Sequence, residues 1–221
     1  MQRFLCRVLF CALLPGPALL MAAPTSPALM TETAIAAYEA GRREEAAWLF
    51  GLAARAGNRL AQFNYAMMLY RKETSSPDHH GAWRWLRRAA GAGLPQAQFN
   101  LALLYDHGDG VTKSLSTAAE WYRRAAEQGH VDAQVSLASM YFVGQGVPLD
   151  YAAAARWYLA AARGGDVAAQ YIIASMYEAG DGVAADPRLA AHWYLQAAQQ
   201  GDPVAREKYD VIRARLGEPE P

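Results

Sequence analysis

Three Gly-x-Gly-Val loops, starting at Gly108, Gly144 and Gly180, and two groups of ligand-type side chains, His79-His80 and Asp106-His107-Gly108-Asp109, are where this 221-residue chain concentrates residues able to do chemistry. A glycine-rich loop can cradle phosphate with its backbone N–H groups, but a phosphate loop follows a strand and carries a third glycine or a Gly-Lys-Ser/Thr ending. These loops have neither, recur every 36 residues and are flanked by helical patterns, so their glycines read as turn residues that supply positive φ. Neutral imidazole binds metals well, yet no His-Glu-x-x-His or Cys/His spacing supports a site at the histidines. The plainer reading is solvated side chains in polar loops, and a role for His79, His80 and His107 stays open. Nucleophilic catalysis has less to draw on. There is no Gly-x-Ser-x-Gly elbow, both cysteines (Cys6 and Cys11) lie in an N-terminal apolar segment, and no carboxylate pair stands apart from the repeat. The sequence points away from an enzyme, and no cofactor or metal is expected.

The elements that would position these residues follow one 36-residue period. Gly57, Gly93, Gly129, Gly165 and Gly201 keep that step, as do the alanine pairs from Ala53 to Ala197, the Ala-Gln pairs at 61, 97, 133 and 169, and Trp85, Trp121, Trp157 and Trp193. Independent landmarks in one register mean a repeat array whose units bury their apolar faces against neighbours. In the unit 130–165, Ala133, Leu137, Met140 and Tyr141 form one helical face and Ala154, Trp157, Tyr158 and Ala161 a second. Gly144 to Pro148 interrupts them, Asp150 is placed to cap the second helix, and Gly164-Gly165 to end it. Paired alanines let backbones approach closely, and the Trp-Tyr pair is expected to fill the remaining wedge.

The runs Ala97 to Tyr105, Gly108-Asp109-Gly110-Val111 and Ala119 to Gly129 resemble the Sel-one-like repeat family, a branch of the tetratricopeptide-like superfamily. The resemblance covers residues 58–201 as four units (58–93, 94–129, 130–165, 166–201). It implies an all-α fold, a right-handed α-solenoid of stacked helix-loop-helix repeats whose first helices line a concave binding groove. Ala102, Ala138 and Ala174 stand where the family usually has glycine. Residues 31–57 read as a plainer helix pair linked around Gly41, 202–216 as a charged capping helix begun by Asp202-Pro203, and 217–221 as a disordered tail. The unit 58–93 is irregular: its loop, Lys72 to Asp78, has no glycine.

Positions that repeat build the stack, so positions that vary on one face are free to specify a ligand. On the first helices these are Phe63, Met67, Tyr70 and Arg71, then Phe99, Leu103, Asp106 and His107, with Phe142, Tyr171 and Glu178 in later units. Within a helix they fall at i, i+4, i+7 and i+8, a stripe beside the core stripe. By the resemblance this stripe faces the groove, and Asn64 and Asn100 match a position that in peptide-binding relatives holds a ligand's backbone or carboxylate. Phe63, Phe99 and Tyr171 have a competing role in packing between repeats. Tyr70, Arg71, Asp106, His107, Phe142 and Glu178 are expected to be exposed.

With 21 basic and 21 acidic residues the chain is neutral, which weighs against a nucleic-acid partner. Residues 1–23 carry Arg3 and Arg7, an apolar run and small residues at Met21-Ala22-Ala23, the pattern of a secretory signal peptide; an uncleaved membrane anchor is the alternative. The cut falls between 22 and 28, and its loss would remove two basic residues and no acid, a net charge of −2. After cleavage no cysteine and no stable membrane insertion are expected. The expected protein is a periplasmic or secreted scaffold or regulator of the bacterial cell envelope that binds a protein or peptide on its concave face. An immunity protein against a secreted toxin is the alternative, and a cell-wall or β-lactam-related hydrolase is less favoured.

Overall fold

The computed structural model describes residues 26–75 and 78–217. The signal-type segment 1–23 and tail residues 218–221 lie outside the described residues. Eleven helices, and no strand, occur among them: α1 (Pro27–Glu39), α2 (Arg43–Arg55), α3 (Arg59–Tyr70), α4 (His79–Gly91), α5 (Pro95–His107), α6 (Leu115–Glu127), α7 (Val131–Val143), α8 (Tyr151–Arg163), α9 (Val167–Ala179), α10 (Pro187–Gln199) and α11 (Pro203–Leu216). The main packing is between successive helices, which makes an all-α solenoid.

Local chemistry sets each boundary. Asp150 Oδ1 accepts from Ala153 N at 2.8 Å and Asp166 Oδ1 from Ala169 N at 2.7 Å, so carboxylates satisfy N–H groups that the first turns leave unpaired. The turns after the second helices of the repeat run use Gly93, Gly129, Gly165 and Gly201 at φ between +83° and +97°, where an L side chain is strained. α1 begins at Pro27, earlier than the helix pair read from residue 31, because Ser26 caps Leu29 N at 3.1 Å and Pro27 occupies the first turn. Gly217, counted with the tail, is the left-handed C-cap of α11.

A buried glutamine stitches each seam between units. Gln62, Gln98, Gln134 and Gln170 donate from Nε2 to the carbonyls of Ala54, Ala90, Ala126 and Ala162 at 3.1–3.2 Å, pairing acceptors at the end of the preceding second helix. Tyr122, Tyr158 and Tyr194 fill the wedge beside the alanines and are nearly fully buried. The tryptophans next to them are only half-buried, and Arg88 and Arg124 lie over the rings of Trp85 and Trp121 at 4.8 and 4.4 Å. Tyrosine, rather than the tryptophan–tyrosine pair equally, thus closes the wedge.

In the last two units the glycine loop presses on the start of the previous unit's second helix. A Cβ on Gly146 would come within 2.5 Å of the Leu115 backbone, and one on Gly182 would collide with that of Tyr151. At Gly110, the equivalent position one unit earlier, no described atom lies within 4 Å. The irregular unit has Lys72 at φ +58° where Gly108, Gly144 and Gly180 stand. Its loop is held instead by side chains: Ser75 N donates to Glu44 Oε1 at 2.9 Å and Tyr38 Oη to Glu73 Oε2 at 3.0 Å.

Candidate functional site

The first helices carry the variable stripe, and at the N-terminal half of the solenoid that stripe opens into a trough. α3 is fixed by its Asn58 cap, which accepts from Ala61 N at 2.9 Å, and α5 by Pro95 at its start and Gly108 at its end. Two cavities lie along them. The larger, about 560 Å³, is the seam between α3–α4 and α5; Met67, Tyr70, Asn100, Leu103 and His107 line it, with Trp83, Leu86 and Leu104 as its apolar wall and His80, Asp109, Gly110 and Val111 at the loop edge. The second, about 520 Å³, is lined by Phe63, Asn64, Met67, Arg71 and Asn100 together with Ile35, Tyr38 and Glu39 of α1. Met67 and Asn100 border both, so the two cavities adjoin along one trough-like face.

Five proposed site residues are not brought into it. Phe99 stacks on His130 at 4.6 Å and touches Tyr122 at 5.8 Å, and Tyr171 meets Tyr194 edge-on at 5.3 Å; both pack between helices. Phe142 is half-buried against Tyr151 at 5.1 Å rather than exposed. Asp106 accepts from Tyr122 Oη at 3.2 Å, and Glu178 accepts from Tyr194 Oη at 3.1 Å while facing Lys208 and Arg215 at 3.6 and 3.7 Å. A buried phenol needs an acceptor, which is why these carboxylates turn inward and are half-buried. Burial first, and then the facing carboxylates, pushes the Tyr122 and Tyr194 phenols far above their ordinary value.

Tyr70 and Arg71 are exposed, as expected. Tyr70 Oη donates to the Asp109 carboxylate across the seam, and that hydrogen bond is the main cause of its raised pKa. Burial lowers the pKa of His130, whose Nδ1 caps Ala133 N at 3.4 Å. Among the described residues no three His, Cys, Asp or Glu side chains are grouped to hold a metal. His80 and His107 do share the rim of the larger cavity.

Trp83 was missed in the sequence, although a signal existed. It occupies a position that is alanine in the other units, Ala47, Ala119, Ala155 and Ala191, all buried. An indole cannot enter the gap that a methyl fills, so it stands at the edge of an open seam. The α1 contribution, Ile35 and Tyr38, had no such signal because that pair lies outside the regular units.

Comparison with known proteins accords with this architecture. The Sel1 repeat family model matches residues 59–94, 95–130, 131–166 and 167–202. The solved Sel1 repeat protein from Oxalobacter formigenes is 32% identical, with a TM-score of 0.78 over 86% of this chain and 79% of that one. A protective antigen of uropathogenic Escherichia coli with an SLR fold is 30% identical, with a TM-score of 0.80 over 88% of this chain; the chain spans only 43% of that protein. A Sel1 repeat protein from Klebsiella pneumoniae, 21% identical with a TM-score of 0.50 over 84% of this chain and 92% of that one, shares the fold. No curated protein matches the sequence.

Proposed function

This chain belongs to the Sel1 repeat family, and on that premise we propose that it is a non-enzymatic scaffold or regulator of the bacterial cell envelope that holds a protein or peptide segment in the trough along α1, α3 and α5. The family fold is typical of protein-interaction scaffolds. The observation that carries the reading is that the two cavities adjoin at Met67 and Asn100, which gives an elongated, mainly apolar surface from α1 to α5. A trough of that length suits an extended segment better than a compact metabolite.

Export is part of the proposal and rests on residues 1–23. A cut after Ala28 would strip the Ser26 cap and Pro27 from α1, so we place it before Ser26. No helix among the described residues is long and apolar enough to cross a membrane.

Site-specific photocrosslinking in cells tests both halves. A crosslinker at Met67 or Asn100 is expected to capture one defined protein that the exposed positions Glu120 and Arg156, on the second helices α6 and α8, do not capture. Mass spectrometry should find a mature N-terminus between residues 23 and 26. Capture from Glu120 or Arg156 alone would overturn the trough reading, and cytosolic chains with Met1 intact would overturn export. A captured toxic enzyme would make the protein an immunity protein instead of an envelope regulator.

A further inference from the structure

The seam cavity of about 560 Å³ has a physical origin, and that origin together with the charged groups beside the cavity describes an occupant. Its origin is the irregular unit. Trp83 replaces a buried alanine, and a Cβ on Gly110 would meet no described atom within 4 Å, where one on Gly146 or Gly182 would collide with the start of α6 or α8. The seam is left open between Met67, Trp83, Leu86, Leu103 and Leu104, with room for a large apolar side chain and its neighbours.

The polar groups around the opening are unevenly committed. Asp109 in the seam lining accepts from Tyr70 and Glu73 in the adjoining cavity from Tyr38, Asp78 faces Arg84 at 3.5 Å, and Glu39, on α1, lines only the adjoining cavity. The donors are left over. Trp83 Nε1 is buried and has no hydrogen-bond partner among the described residues. Asn100 Nδ2 spends one of its two N–H groups on Gln96 O at 2.7 Å. Arg71, Lys72 and Lys113 have no ion-pair partner among the described residues, and Arg87 rests only over the Trp83 ring, 5.3 Å from its centroid. A bound group must therefore bring acceptors and negative charge as well as apolar surface. In a chain of zero net charge this is a local property, not a general cationic surface.

We infer that the seam cavity anchors an acidic peptide segment, which inserts one aromatic or large aliphatic side chain beside Trp83 and Leu103 and sets its carboxylates against Arg71, Lys72, Arg87 and Lys113. The inference rests on the trough reading and names the chemistry of its partner. Charge of this kind sets selection among partners and encounter rate, while the buried side chain supplies the holding energy.

Fluorescence anisotropy on the purified protein tests it with three labelled nine-residue probes: one tryptophan flanked by glutamate and serine, the same with lysine for glutamate, and the same with serine for tryptophan. The acidic tryptophan probe should bind about tenfold tighter than either other probe, and lose most of that margin when salt is raised from 50 to 500 mM. Leu103→Asp should weaken it about tenfold, as should Arg71→Glu with Arg87→Glu, and the charge reversal should also turn preference toward the lysine probe. Arg156→Glu on α8 should change nothing. Leu103 also packs in the core, so the two exposed arginines keep the test decisive if that variant fails to fold. Equal binding of the acidic and lysine probes, or an affinity untouched by the charge reversal, overturns the inference. If crosslinking at Met67 captures a partner while the acidic probe does not bind, the trough reading stands and this one falls.

Discussion

Replacing Ala92 with glutamine should stabilise the solenoid, and the reason is visible one and three units further along. Gln128 Nε2 donates to Gln98 Oε1 at 2.7 Å, and Gln200 Nε2 donates to Gln170 Oε1 at 2.8 Å. Thirty residues after Gln62 the same place holds Ala92, and Gln62 Oε1 is buried with no hydrogen-bond partner among the described residues. The backbone is already suited: the helix-ending residue has φ/ψ of −77°/6° at Ala92, −91°/7° at Gln128 and −89°/6° at Gln200. Pairing a buried unsatisfied acceptor recovers roughly 1–3 kcal/mol. Ordering an exposed glutamine costs part of that, up to about 1.5–2 kcal/mol for full immobilisation. The net gain expected is about 1 kcal/mol, or roughly 2–4 °C in Tm for a chain of this size. Thermal melts of Ala92→Gln and Ala92→Met isolate the effect, since methionine has similar length and no donor. The reciprocal variant Gln128→Ala should lose about 1–2 kcal/mol by exposing the same deficit at Gln98. Equal melting of Ala92→Gln and Ala92→Met, or a neutral Gln128→Ala, would refute the reasoning.

Lys72→Gly should raise stability by about 0.5–1 kcal/mol, because glycine relieves a left-handed L residue but loses more chain entropy on folding; urea midpoints measure it. Gly146→Ala should cost about 2–5 kcal/mol, combining backbone strain with a collision against Leu115, whereas Gly110→Ala should cost only the roughly 1–2 kcal/mol of strain. Similar losses at both positions would mean that the first seam is closed like the others. Alkali should unfold the protein early: Tyr122, Tyr158 and Tyr194 have raised pKa values, with burial as the first cause. Above pH about 10 the unfolded chain sheds phenolic protons that the folded chain retains. Stability present below that pH is thus lost at up to about 1.4 kcal/mol per pH unit for each such tyrosine. Urea midpoints at pH 9 and 11 check the sign, and a midpoint that does not fall between them would contradict it.

The regular architecture was legible because the stack imposes one demand at one position in each unit. Gln98 and Gln170 must reach the carbonyls of Ala90 and Ala162, and Gly129 and Gly165 must turn left, so the same letters return every 36 residues. The site was legible only in part, for the same reason. Variation on the first-helix stripe singled out Met67, Tyr70, Arg71 and Leu103, and the family resemblance Asn100, all of which border the two cavities, yet variation equally singled out Asp106 and Glu178, which do not. Those two vary because their units bury tyrosines that need an acceptor, a pairing between helices that one-dimensional spacing does not reveal. In the third unit the position is Phe142, and Tyr158 Oη there faces no carboxylate at that place.

Variation therefore has two physical sources in an array of this kind, and they leave different marks. A residue that compensates its own unit's core, such as Asp106 for Tyr122, changes alone while the loop beside it keeps its glycines. A seam that has opened changes several positions at once, because the indole of Trp83, the lost glycine at Lys72 and the space beside Gly110 among the described residues go with one altered gap. The strain at Lys72 and the buried Trp83 Nε1, which has no hydrogen-bond partner among the described residues, both oppose folding of that unit. Local costs retained together around an apolar cavity are what a binding function leaves behind, since a well-packed repeat would have kept alanine and glycine there. Recognition at the first seam, between α3–α4 and α5, is therefore the proposal to test ahead of the more regular groove that follows it.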